Sequence, residues 1–150
     1  MVALATSIAR GEHASIDLEV IAPEGRQEAF ADHEPPEGGV NPRPRLALTA
    51  GEPLVLNFQL TNIYPHGLVK DVTVRYFVVR VDKLGAKELP ALGDQAVLQG
   101  AVTMNFKPKC RVGARLKFKI DTPGIYLARV DTLNSQSDHE HFSAIDLEVK

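Results

Sequence analysis

Residues Ala114-Arg115-Leu116-Lys117-Phe118-Lys119-Ile120 alternate apolar and basic side chains without a slip. A period of two sets Leu116, Phe118 and Ile120 on one face and Arg115, Lys117 and Lys119 on the other. Asp121-Thr122-Pro123-Gly124 then turns the chain, and Ile125-Tyr126-Leu127-Ala128-Arg129-Val130 resumes in β-rich composition. A half-buried strand, a turn and a second strand are the unit of an antiparallel sandwich.

Further segments repeat the pattern. Ser15 to Ile21 alternates and ends at Pro23. Leu54, Leu56, Phe58 and Leu60 share a face opposite Asn57, Gln59 and Thr61. Val72, Val74, Tyr76 and Val78 share another, but the alternation degrades over Phe77-Val78-Val79-Arg80-Val81. Either a bulge shifts the phase there or both faces are covered. Val102, Met104 and Phe106 form one face, with Gly100 a break, and Ile145, Leu147 and Val149 close the chain. No amphipathic helix stands out. Residues 24–31 have room for only a turn or two of helix. The segment 23–45 is otherwise loop, because Pro35-Pro36-Glu37-Gly38-Gly39 and Pro42-Arg43-Pro44 exclude regular structure. The expected fold is therefore all-β, an antiparallel sandwich of seven to eight strands. Residues 1–44 contribute a strand and a long Pro/Gly-rich loop, and residues 45–150 the sandwich proper. Both belong to one structural unit, or else the first strand is a separate arm.

Composition limits the function. At 150 residues the chain can bury a core without staples. Seventeen basic against 19 acidic residues, net charge −2, argue against wholesale nucleic-acid or anionic-membrane binding. No apolar run approaches the ~20 residues that span a bilayer, and the first ten residues are too weakly apolar for a signal peptide. Cys110 is the sole cysteine, so no internal disulfide forms. It lies among Lys107, Lys109 and Arg111, which favour a thiolate, yet no acid–base partner adjoins it in sequence.

The motif D-x-P-G-x-Y-x-x-x-V, here Asp121 to Val130, resembles the penultimate-strand region of bacterial immunoglobulin-like and fibronectin-III-like domains. Ala50-Gly51-Glu52-Pro53 and residues 62–70 resemble their turns on either side of the second strand. The resemblance covers residues 45–150. It implies that the Tyr126 hydroxyl bonds back to nearby backbone, and that the chain is an extracytoplasmic accessory module, such as a spacer, adhesin, or protein or glycan binder. The chain has no Trp and one Cys, so the disulfide-and-tryptophan core of antibody domains is absent.

Candidate sites follow. Ser137-Asp138-His139-Glu140-His141 places two imidazoles at i and i+2, which on a strand can share a Zn²⁺ or Cu²⁺ ion. His13 is the proposed third ligand, because Glu12 to Val20 echoes Glu140 to Val149; His33 and His66 lie in loops that could reach. The alternative is a polar loop whose Ser137 or Asp138 caps a turn. Lys107, Lys109, Arg111, Arg115, Lys117 and Lys119, with Lys70, Arg75 and Arg80, offer a basic stripe, or else a solubilising face that discourages edge pairing. Phe77 is the one candidate for base stacking. The acidic positions Asp17, Glu19, Asp146 and Glu148 could complement the basic stripe of a second copy. The echoed strands could also compete for one slot and exchange between protomers. No nucleophile elbow, Walker loop, zincin motif or dinucleotide fingerprint occurs. The expected role is non-catalytic: a module presenting the loops 62–69, 134–141 and 23–44, or a sheet face, to a protein or glycan. The rival is a metal-binding sandwich.

Overall fold

The computed structural model describes residues 14–31, 43–64, 67–134 and 141–150. Among these, nine strands form in chain order: β1 (Ala14–Ala22), β2 (Gly25–Ala31), β3 (Arg45–Leu48), β4 (Leu54–Asn62), β5 (Val69–Val81), β6 (Ala96–Phe106), β7 (Arg111–Phe118), β8 (Gly124–Asn134) and β9 (His141–Val149). One four-stranded sheet, here sheet A, has the order β2-β1-β4-β7; a five-stranded sheet B has the order β3-β9-β8-β5-β6. The fold is an all-β sandwich. Its pairs are antiparallel except β3 with β9, which is parallel.

The period-two pattern fills the core as expected. Ile16, Leu18 and Val20 of β1, Leu54, Leu56, Phe58 and Leu60 of β4, and Ile145, Leu147 and Val149 of β9 are all buried and belong to one cluster. Phe118, Ile120 and Tyr126 join it. Two contacts tie the sheets together. The rings of Phe58 and Tyr76 lie 5.4 Å apart, and Ser143 Oγ donates to the Ile16 carbonyl at 3.0 Å. The Tyr126 hydroxyl donates to the Thr122 carbonyl at 2.8 Å, which pins the turn that the resemblance singled out.

One expectation changes, and two alternatives left open are decided. First, residues 25–31 are a strand and not helix. Ala22 pairs with Gly25 across the two-residue turn Pro23-Glu24, and seven residues of β2 pair with β1. An isolated helix of that length is marginal in water, whereas the strand completes a ladder. The pattern conceals it, because its inward positions are Gln27, Ala29 and Ala31 while Phe30 faces out, 60% exposed. The remainder of that loop, 32–42, lies outside the described residues. Second, β1 is no detached arm, since it sits between β2 and β4. Third, the broken alternation in β5 comes from burial on both faces. Its pairing with β8 runs without a slip, and the register shift falls on the β6 side, between Val78 and Val79. Phe77, Val79 and Val81 form a second cluster with Leu127 and Ala144, covered by Ala86 and Leu92 of the link to β6.

The echoed strands do not share a slot. β1 lies in sheet A and β9 in sheet B. Each is internal to its sheet, so exchanging either would first break two ladders.

Candidate functional site

Nothing among the described residues covers the outer face of sheet A, and its register arranges it in rows. Phe30, Asp17, Gln59 and Gly113 lie side by side across β2, β1, β4 and β7. In the next row are Glu28, Glu19, Asn57 and Arg115, and then Arg26, Ile21, Val55 and Lys117. Outward side chains of an extended strand recur every second residue, so these rows follow from the same periodicity that builds the core. Asp17, Glu19, Glu28, Phe30, Asn57 and Gln59 line a depression of about 460 Å³. Gly113 ends the first row without a side chain. A Cβ there would collide with the Phe58 carbonyl oxygen, which leans over this position.

The charge on this face is graded. Carboxylates sit on β1 and β2, where Arg26 is the one base, amides on β4, and the remaining bases on β7. Neighbouring strands are about 4.8 Å apart, so β1 and β7 stand about 10 Å apart. That is close to a Debye length at physiological salt, and the two halves do not pair directly. Arg26 approaches Glu19 at 3.6 Å and Glu28 at 3.5 Å. Both pairs are long, and the one to Glu28 is exposed on both sides and contributes little, while the Glu19 side chain is only 17% exposed. The carboxylates therefore keep acceptor capacity toward a ligand. The amides add donors and acceptors, and the exposed phenyl ring adds an apolar surface.

Other predicted site residues have different fates. His139, with Asp138, Glu140 and Ser137, lies outside the described residues, as do His13, His33 and His66. His141 opens β9, opposite Thr132. Among the described residues no group of three His, Cys, Asp or Glu side chains converges on a metal position. Cys110 is half-buried, packs against the core, and closes a turn through its N–H to the Lys107 carbonyl at 3.1 Å. Arg111, Arg115 and Lys117 are exposed on β7, which is an edge of sheet A.

Phe77 is fully buried and stacks no base. Arg75 does not extend a basic stripe. It binds Asp131 through two nitrogens, at 3.1 and 2.7 Å, and Arg129 binds the same carboxylate at 3.0 Å. Asp146 offers no charge to a second copy, because its side chain is only 2% exposed. Its Oδ2 accepts from Gly85 N–H at 3.0 Å and Arg43 Nε at 3.4 Å. Oδ1 lies 3.2 Å from Arg43 Nη2, an ion pair by distance that lacks hydrogen-bond geometry. The same Nη2 donates to the Ala86 carbonyl at 2.7 Å. Asp146 thus clamps the link that covers part of sheet B, whereas nothing among the described residues covers the rows of sheet A.

The sandwich end that holds the loop 62–69 is organised by Asn62. Its buried amide donates to the carbonyls of Gly67, Phe106 and Lys107 at 2.8, 3.2 and 2.9 Å, and its Oδ1 accepts from Tyr64 N–H at 2.9 Å. Phe30 and Glu28 are not legible as site residues in the sequence, because the pattern of 24–31 suggests a helical turn and only the pairing of β2 with β1 turns both outward. Asn57 and Gln59 were legible as outward, but only the pairing of β4 with β1 puts them beside Asp17 and Glu19.

No family model matches the chain, and no curated protein sequence does. Among solved structures, the PmoD soluble domain from Methylocystis sp. ATCC 49242 (Rockwell) is 13% identical with a TM-score of 0.47, each chain being covered over 90%. A family 123 glycoside hydrolase from Clostridium perfringens is 12% identical with a TM-score of 0.46. That match covers 76% of this chain, which spans 24% of the hydrolase. Among the described residues no helix is long and apolar enough to cross a membrane.

Proposed function

We propose that this chain is a non-catalytic binding module of the immunoglobulin-like, fibronectin-III-like class, and that it holds a glycan on the open face of sheet A. The Tyr126–Thr122 bond supports the class. One observation carries the ligand: three carboxylates and two amides share a depression with an exposed phenyl ring. A hydroxyl-rich ring needs directional acceptors and donors for its hydroxyls and an apolar platform for its C–H face. A nucleic acid would be repelled by Asp17, Glu19 and Glu28.

The test is calorimetric titration with oligosaccharide panels. A hydrogen bond to a charged group is worth about 1.5–3 kcal/mol, so Asp17→Asn should weaken binding by about 10- to 100-fold. Phe30→Ala should weaken it as well, while Lys117→Ala on the far strand should not. Wild-type affinity in Phe30→Ala and Asp17→Asn together overturns the assignment.

A second reading, also ours, is a Zn²⁺ or Cu²⁺ site using His139 and His141 with His13. It is favoured by one relation: Ala14, which follows His13, pairs with Asn62, and His141 begins its strand at that same end of the sandwich. Metal titration of the wild type against a His139→Ala/His141→Ala double variant decides it. Unchanged affinity removes the metal.

A further inference from the structure

The four sheet edges are not equally protected. An edge strand presents unpaired N–H and C=O groups, and proteins blunt such edges with charge, proline or shortness. The β7 edge carries Arg111, Arg115 and Lys117. The β2 edge carries Arg26 and Glu28, and the β3 edge is four residues long and begins with Arg45. The β6 edge has none of these devices. Its 11 residues, Ala-Val-Leu-Gln-Gly-Ala-Val-Thr-Met-Asn-Phe, include no charge and no proline. It pairs with β5 on one side, and no other described strand adjoins it. From Leu98 to Met104 its register is regular, bounded by the two irregularities in the β5 ladder. Val97 and Val102 are 37% and 48% exposed along it.

We propose that β6 is a self-association edge, where a second copy of this chain adds antiparallel across a two-fold axis at Ala101 and joins two copies of sheet B into one. This goes beyond the glycan reading and uses a different sheet. A second copy is the fitting occupant because the segment is complementary to itself. An uncharged strand meets no like charge in its own copy, and offers no salt bridge to a charged foreign strand. In the two-fold register Ala101 faces Ala101 of the partner subunit. Thr103 then faces Gln99 of the partner subunit, and Met104 faces Leu98 of the partner subunit. Val102 of the partner subunit falls beside Gly100, where a Cβ would strike the Tyr76 hydroxyl and ring. The half-exposed valine thereby gains an aromatic edge.

The size of the contact sets its strength. Eleven extended residues run about 35 Å, and a neighbouring strand covers a band about 10 Å wide. Both copies together bury on the order of 800 Å², below the roughly 1,200 Å² of a standard stable interface. The dimer is therefore weak and concentration-dependent.

Sedimentation velocity of the full chain over a micromolar concentration series tests this. The average mass should rise from 16.4 kDa toward twice that value. Ala101→Lys places two like charges opposite each other across the axis, and Val102→Lys charges the adjacent position. Both positions are exposed, so each variant should melt like wild type yet stay monomeric. Lys117→Ala should dimerise as wild type does. Amides of residues 98–104 should gain hydrogen-exchange protection as concentration rises. A chain monomeric across the series overturns the proposal, as does a dimer that survives both lysine variants. A dimer lost in Lys117→Ala but kept in Ala101→Lys overturns it in favour of sheet A.

Discussion

Replacing Asp146 with alanine should destabilise the fold sharply, while the same change at Asp17 should do almost nothing. The two aspartates occupy the same place in the repeated motif Ile-Asp-Leu-Glu-Val. Asp146→Ala removes the acceptor of Gly85 N–H and the counter-charge of Arg43, whose own side chain is only 15% exposed. Breaking a buried ion pair by removing one partner costs about 3–5 kcal/mol. Arg43 retains its bond to the Ala86 carbonyl and some access to water, which lowers the figure. Gly85 is exposed, so its freed N–H turns to water and adds little. A net loss of about 3 kcal/mol follows. For a chain of this size 1 kcal/mol corresponds to about 2–4 °C, so Tm should fall by about 6–12 °C. Asp17 is exposed, and Asp17→Ala should stay within about 0.5 kcal/mol. Calorimetric melting of both variants beside wild type measures the difference. Asp146→Asn keeps an acceptor for Gly85 and should fall between them. Equal melting of Asp146→Ala and Asp17→Ala would refute the clamp, and with it the argument that the link is what covers sheet B.

Two further substitutions probe the frame. Asn62→Ala strands the carbonyls of Gly67, Phe106 and Lys107, so denaturant unfolding should show a loss of about 2–4 kcal/mol, with hydrogen exchange accelerating first in the turns near residues 67 and 107. Tyr126→Phe removes one bond of 2.8 Å while keeping the ring, so it should cost about 1 kcal/mol and leave the unfolding slope unchanged.

The strands were legible wherever one face is greasy and the other polar. Positions 54–60 and 114–120 show the two-residue period, because a sandwich core rewards one face only there, whereas 124–130 is buried on both faces and shows only a β-rich composition. The Tyr126 turn was legible for a different reason, since Pro123-Gly124 fixes its backbone locally. β2 was not, as its inward residues are small and its largest side chain points out. The candidate site was half legible. Outward Asp17, Glu19, Asn57 and Gln59 could be read along their strands, but their adjacency is a matter of which strands pair, and Phe30 arrives with the unrecognised β2. The part-buried pairs Arg75–Asp131 and Arg43–Asp146 span 56 and 103 residues of chain, beyond any local pattern.

The sequence by itself determined which side chains alternate, and hence that Asp17 and Asp146 both point away from the core. Only the tertiary structure decided that one meets solvent and the other does not. The link after β5 folds back over sheet B, and Arg43 closes on it, while nothing among the described residues covers the rows of sheet A. Periodicity is a property of a single strand, and the environment of its outer face is set by segments far away in the chain.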